Sequence, residues 1–261
     1  MDIVFAGLPG ESDDAVVSIT LAQMYTSVEA YTTDKNRDAA REKLADGLAA
    51  LTESATAGSD LQLLYARAFA LNALTPAHIE KLRALLNGSA PGLIVDTDLR
   101  WYFIIALAER NAFTKTELDT ELANDNTTSG NCSYETALAA APTAEAKEYA
   151  WNKIINEEIM TSVRSALVAG FQRPIQRELL ATYVDRYFDS IISVWESKSY
   201  EGASKIVTGL YPTWVISQET LDKTAKWLGT TGKDAPAVLR KLVMESQDSL
   251  SRALKVQSLD N

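Results

Sequence analysis

Few side chains in this sequence could bind a metal, attack a carbonyl or relay a proton near neutral pH. There is one histidine, His78, and one cysteine, Cys132, among 261 residues. Protein zinc takes three or four ligands, nearly always with imidazole or thiolate among them, so this chain cannot assemble the usual zinc site from its own side chains. His78 stands in Pro76-Ala-His-Ile-Glu80, in the first turn of an expected helix. A catalytic histidine of the nucleophile–base kind needs a nucleophile and an orienting group. The nearest approach to a nucleophile elbow, Gly88-Ser-Ala-Pro-Gly92, carries its serine in the wrong place. His78 is therefore expected on the surface. Cys132, in Asn131-Cys-Ser133 near a helix start, has no histidine near it in sequence and reads as a structural thiol.

Three other clusters resolve into local structure. Gly229-Thr-Thr-Gly-Lys-Asp234 has Trp227 and Asp234 where a phosphate-binding loop needs Gly and Ser or Thr, so it is a helix-terminating loop. Asp119-Thr-Glu-Leu-Ala-Asn-Asp125-Asn-Thr-Thr-Ser-Gly130 lacks the glycine and final glutamate of a calcium loop at the required spacing, and reads as a helix end followed by an N-cap. Asp13-Asp14 is an acidic pair at a helix start, favourable to the helix dipole. With 25 basic against 35 acidic side chains the formal charge is −10, which argues against nucleic acid as a partner.

The elements that must carry these residues are helices. Ser12-Asp-Asp caps a helix on which Val16, Ile19, Met24, Val28 and Tyr31 are the expected apolar face. Leu44, Leu48 and Leu51 form the stripe of a second helix ending near Gly58, and Ser59-Asp60 caps a third bearing Leu63, Leu64, Ala68 and Leu71. Thr75-Pro76 opens a fourth, Asp96-Thr-Asp98 a fifth, and Thr114-Lys-Thr-Glu117 is a capping box for a short sixth. Further helices are expected at roughly 130–141, 143–155, 159–169, 175–187, 188–197, 199–209, 217–229 and 234–257. No segment alternates as a strand does.

The predicted fold is all-α: a right-handed α-solenoid, or superhelix, of HEAT-like helix hairpins across residues 1–261. Trp101, Trp151 and Trp195 fall near the ~40–47-residue spacing of such units. The turn-former cluster Asn87-Gly-Ser-Ala-Pro-Gly92 marks a candidate subdomain seam at 87–95, dividing N-terminal helices 1–86 from helical repeats 96–261. Trp101, Tyr102, Trp151, Tyr183, Tyr187, Phe188, Trp195, Tyr211 and Trp214 are expected in the core. Residues 1–60 carry 11 acidic against 4 basic side chains, concentrating the negative charge in the first helices. A lone cysteine points to a reducing compartment, the cytoplasm by default. The start has no basic region of a secretion signal, and the longest apolar run, Tyr102–Ala108, is far short of the ~20 residues of a membrane span.

The order of segments carries more than any one of them. Asp98-Leu-Arg-Trp101 with Ala106-Leu-Ala108, Glu121-Leu-x-x-Asp125-x-Thr-x-x-Gly130 and Ala141-Pro-Thr-Ala-Glu-Ala-Lys147-x-x-Ala-Trp151 come first. Gly170-Phe-Gln, Arg177-Glu-Leu-Leu-Ala-x-Tyr183, Tyr187-Phe188, Val194-Trp-Glu-Ser197, Gly209-Leu-Tyr-Pro212 and Leu239-Arg-Lys-Leu-Val follow. Together with residues 35–73 this succession resembles the C-terminal helical domain, HEAT-like and ERAP-type, of bacterial aminopeptidase N in the gluzincin zinc metallopeptidase family.

The resemblance implies a noncatalytic domain of an enzyme that removes N-terminal residues from peptides. It puts zinc in a preceding catalytic domain, with a His-Glu-x-x-His helix and a Gly-x-Met-Glu-Asn segment, neither of which is in this sequence. No catalytic, cofactor-binding or metal-binding residue is therefore expected here, and the chain by itself should be inactive. Its implied partners are the catalytic domain of the same polypeptide and the peptide substrate, whose active-site chamber it would cover and whose length it would select. Arg100, Arg164, Arg173 and Arg177 are the candidate peptide contacts. The alternative, from another functional class, is a free-standing helical-repeat scaffold that binds a protein on its concave face.

Overall fold

In the structure, a computed structural model, residues 1–259 are described, and among them every regular element is helical. The chain forms two compact units, Met1–Asp125 and Asn126–Asn261. None of the described helices is long and apolar enough to cross a membrane.

The first unit contains α1 (Asp2–Gly7), α2 (Asp14–Thr26), α3 (Asp34–Ser54), α4 (Asp60–Asn72), α5 (Pro76–Leu86), α6 (Thr97–Glu109) and α7 (Lys115–Asn124). Five of them, α2 and α4 to α7, start where a side-chain acceptor takes an orphan amide of the first turn. Asp13 caps α2, Ser59 caps α4, Asp96 caps α6, and Thr114 with Glu117 closes the expected capping box of α7. The core joins Leu44 and Leu48 of α3, Tyr65 and Phe69 of α4, Leu82 of α5, and Leu99, Phe103 and Leu107 of α6.

Two expectations change here. On α2 the buried residues are Val17, Leu21 and Met24, whereas Val16 and Ile19 are exposed. This helix is apolar on most of its circumference, so spacing alone does not say which face meets α4. On α4 the fully buried face is Tyr65, Ala66, Phe69 and Ala70, one residue round from the face read from Leu64, Ala68 and Leu71.

The 87–95 loop lies inside the first unit, joining two helices packed on each other, and the compact units divide after Asp125. That loop is tied to the α3–α4 turn. Gln62 accepts from the Gly58 N–H at 2.8 Å and donates to the Pro91 carbonyl at 3.2 Å. Gly92 has φ +77°, and a Cβ there would sit 2.5 Å from the Gly58 nitrogen, so only glycine permits both the turn and the approach.

The second unit holds α8 (Thr128–Ala140), α9 (Ala144–Asn156), α10 (Thr161–Phe171), α11 (Arg177–Ala181), α12 (Val184–Ser197), α13 (Tyr200–Gly209), α14 (Gln218–Gly229) and α15 (Ala237–Gln257). Helices α8 and α10 pack backbone to backbone at Gly170. A Cβ on Gly170 would run into the Thr136 carbonyl and lie 2.7 Å from the Ala139 Cβ, so small residues on both sides set the spacing. Trp151, Phe171 and Tyr183 form an aromatic cluster with centroids 5.0–6.0 Å apart, continued by Tyr187, Phe188 and Tyr211.

The two helices expected at 175–187 and 188–197 instead meet at Thr182–Tyr183, leaving a short α11 and a longer α12. Tertiary packing decides this break: Tyr183 turns its ring onto Trp151 and Phe171. Of the expected core aromatics, Tyr102 is exposed, and Trp195 and Trp214 are only partly buried.

Candidate functional site

The residues richest in chemical possibility are used by the fold. His78 is buried, not on the surface, because it completes the N-terminal cap of α5. Its Nδ1 accepts the backbone N–H groups of Leu74 and Thr75 at 3.2 and 3.3 Å, which leaves the ring proton on Nε2, 2.8 Å from an Asp46 carboxylate oxygen. Both ring nitrogens are engaged. Cys132, a free thiol in α8, is half-buried. Among the described residues no three His, Cys, Asp or Glu side chains are grouped to hold a metal ion, and a zinc centre does not fit this residue set.

The four candidate arginines fall in different settings. Arg100 of α6 donates from Nε and Nη2 to the two carboxylate oxygens of Glu121 on α7, at 2.5 and 2.7 Å. That forked pair raises the Arg100 pKa and lines a cavity of about 320 Å³ with Arg83, Phe113 and Glu117. Arg173 and Arg177 bracket the 3₁₀ turn Pro174–Gln176. Arg177 donates to the Trp214 and Pro174 carbonyls at 2.9 and 3.0 Å, so it ties the turn to the α13–α14 connection. The Arg173 side chain is half-buried.

Arg164 differs from the others. It lies on α10, is 4% exposed, and its Nε is fully buried without a partner. The guanidinium rests on the first turn of α13, where a Cβ on Gly202 would lie 3.1 Å from Nη1. Glu158, in the α9–α10 loop, is within electrostatic reach of Arg164. Its carboxylate is 82% exposed and already takes the Lys198 ammonium at 2.5 Å. The Glu158 pKa is lowered, chiefly by that hydrogen bond and charge, with a smaller contribution from Arg164.

Two polar groups on α9 escaped sequence reasoning. Lys147 is fully buried, and its ammonium donates to the Ala139 and Gly170 carbonyls at 2.7 and 3.2 Å. Beside it, Glu148 accepts from Arg186 at 2.5 Å and from Tyr183 at 3.1 Å, while the Arg186 guanidinium covers the Tyr183 and Trp151 rings at 4.8 and 5.0 Å. The Arg186 hydrogen bond lowers the Glu148 pKa to about 2. Burial, then the Glu148 contact, lifts the Tyr183 pKa to about 12. A signal for Lys147 did exist: it shares a helical face with Ala150, Trp151 and Ile154, and Arg164 likewise shares one with Leu167 and Phe171.

Residues 1–252 match the ERAP1-like C-terminal domain family. The chain belongs to this family. It is also 40% identical over 261 residues to the aminopeptidase N of Streptomyces lividans, covering 99% of this chain and 30% of that relative. The chain thus spans under a third of the length of the curated relative it matches. The family match includes α1–α14 and most of α15, so the resemblance drawn from the ordered segments holds across both compact units.

Proposed function

We propose that this chain serves as the noncatalytic C-terminal domain of a zinc aminopeptidase that removes N-terminal residues from peptides. The observation that carries this is the family match over residues 1–252, joined to 40% identity with under a third of an aminopeptidase N. In this reading zinc and the general base belong to a catalytic domain of the same polypeptide, and no step of the hydrolysis is assigned to residues here. The helices stack as a right-handed HEAT-like superhelix that covers the active-site chamber. Its contribution is to admit peptides by size and to hold the part of the substrate away from the scissile bond, which lowers the entropic cost of reaction. The enzyme works in the cytoplasm.

The four arginines divide under this proposal. Arg100 and Arg177 are held by Glu121 and by backbone carbonyls and act mainly in packing. Arg164, whose Nε is buried without a partner, is the better peptide contact.

The test is direct. The isolated chain, supplied with zinc and aminoacyl-coumarin reporters, should show no turnover, while the coding frame extended upstream should contain a His-Glu-x-x-His segment and yield chelator-sensitive cleavage. Chelator-sensitive turnover by the isolated chain would refute the noncatalytic assignment. An upstream frame without the zinc motif would remove the parent enzyme.

A further inference from the structure

Two buried tryptophans, Trp101 and Trp227, treat their indole N–H groups in opposite ways. Trp101 donates from Nε1 to an Asp125 carboxylate oxygen at 2.8 Å, whereas the Trp227 Nε1 is fully buried and has no acceptor among the described residues. A buried donor left unpaired is a costly arrangement. The Trp227 ring is also held in place. The loop that ends α14 folds back over it: the Gly232 N–H donates to the Trp227 carbonyl at 2.7 Å, and a Cβ on Gly232 would run into the benzo ring.

Trp227 lines a cavity of about 320 Å³ between α12 and α14, and the buried Phe188 of α12 lines it too, giving it an aromatic floor. Its walls carry charge of both signs. Asp185 of α12 pairs with Lys223 of α14 at 2.8 Å, and Lys223 also takes Glu219 at 2.9 Å, so these charges are answered within the fold. About one turn further along each helix stand Asp189 and Lys226, which line the same cavity, are exposed, and have no ion-pair partner among the described residues. An exposed acid or base alone is ordinary helix surface. Here an unpaired acid, an unpaired base and a stranded buried donor surround one aromatic floor.

We propose that this cavity binds a free α-amino acid with an apolar side chain. The ligand's carboxylate meets the Lys226 ammonium and the Trp227 Nε1–H, its ammonium meets Asp189, and its side chain lies on the Phe188 and Trp227 rings. The volume is at the low end of the roughly 300–1,000 Å³ of small-molecule pockets, which suits one residue and not an extended peptide. A zwitterion has no net charge, so the formal charge of −10 does not oppose it. A free amino acid is also what the enzyme proposed above would release; that source rests on the proposed function, whereas the site does not.

Nuclear magnetic resonance titration of the 261-residue chain tests the site, with the Trp227 indole N–H as reporter and the Trp101 indole N–H, already held by Asp125, as control. L-leucine, glycine, leucinamide, N-acetyl-leucine and the dipeptide Leu-Gly are the probes. Leucine should move the Trp227 signal saturably, leave Trp101 unmoved, and bind about tenfold tighter than glycine, the worth of one partly buried isobutyl group. Leucinamide and N-acetyl-leucine, each short of one charge, should bind about tenfold more weakly than leucine or less. Lys226→Gln and Asp189→Asn remove exposed charges that have no partner to lose, and each should weaken leucine by a similar factor with an unchanged thermal midpoint. No saturable shift with leucine overturns the site, as does binding of leucinamide or N-acetyl-leucine as tightly as leucine. Leu-Gly binding as tightly as leucine overturns the free amino acid as its ligand. The probe series on the unsubstituted chain does not depend on a variant folding, and none of it involves peptide hydrolysis, so its failure would leave the aminopeptidase assignment standing.

Discussion

The two ends of α10 each meet a buried cation, and their surroundings are opposite in sign. At the C-terminal end the Lys147 ammonium lies on the carbonyls of Ala139 and Gly170, where α8 and α10 both finish. Those carbonyls are the negative ends of two helix dipoles and lack partners within their helices, so a single amine answers both needs. Toward the N-terminal end Arg164 faces the positive end of α13, and its Nε is buried without a partner. Lys147 thus serves two helix ends, whereas the buried Arg164 Nε has no acceptor. Burial and charge are shared by both, and the direction of the neighbouring helices separates them.

Substitution should expose this contrast, and the largest effect belongs to Lys147. Lys147→Met keeps the length but strips two buried carbonyls of their donor, and should lower the unfolding free energy by about 2 kcal/mol. Urea denaturation followed by tryptophan fluorescence measures it. An unchanged midpoint would show that the ammonium does not hold the helix ends.

A smaller effect separates the carboxylates that neighbour the two cations. Glu148 takes donors from Arg186, Tyr183 and Asn152, whereas Glu158 has Lys198 as its donor. The Glu148 pKa is lowered from 4.5 to about 2, so its stabilisation is present above the unfolded value and is lost as pH falls from about 5 toward 2. Its side chain is 46% exposed, and after discount for solvent screening the loss should be about 0.5 kcal/mol. Thermal midpoints of the parent chain and Glu148→Gln should converge over that interval. Parallel curves would contradict the assignment.

The smallest effect is expected at Arg164. Because its buried Nε has no acceptor to lose, Arg164→Met should alter stability by less than about 0.5 kcal/mol, or raise it. A loss comparable to that of Lys147→Met in the same urea experiment would mean that Arg164 is a structural cation too.

Much of the helical plan was legible in the sequence because caps are local. Ser59, Thr75, Asp96, Thr114 and Thr143 each accept an amide two or three residues on, and each begins a helix where the residue types predicted one. The expected helix-terminating loop after Gly229 is also found, with Arg240 collecting the Leu228, Gly232 and Lys233 carbonyls. Burial was less legible. The sequence placed His78 on the surface for want of a nucleophile and an orienting group, whereas its burial depends on Phe69, packed edge-on at 5.8 Å from another helix. The candidate arginines were chosen by charge and place in the chain, and neither reveals that Arg100 is answered by Glu121 while Arg164 is not.

By itself the sequence determined the helical class, most helix starts, the lack of residues for an autonomous zinc site, and family membership through ordered segments. Those properties depend on residue type and short spacing. The tertiary structure alone decided where α11 gives way to α12, that the 87–95 loop is bound to the α3–α4 turn, and which end of a helix each buried cation meets. The physical reason is the same in each case: the free energy of a ring, a glycine or a charge depends on groups 20 to 40 residues away, brought within a few ångströms only when the helices pack.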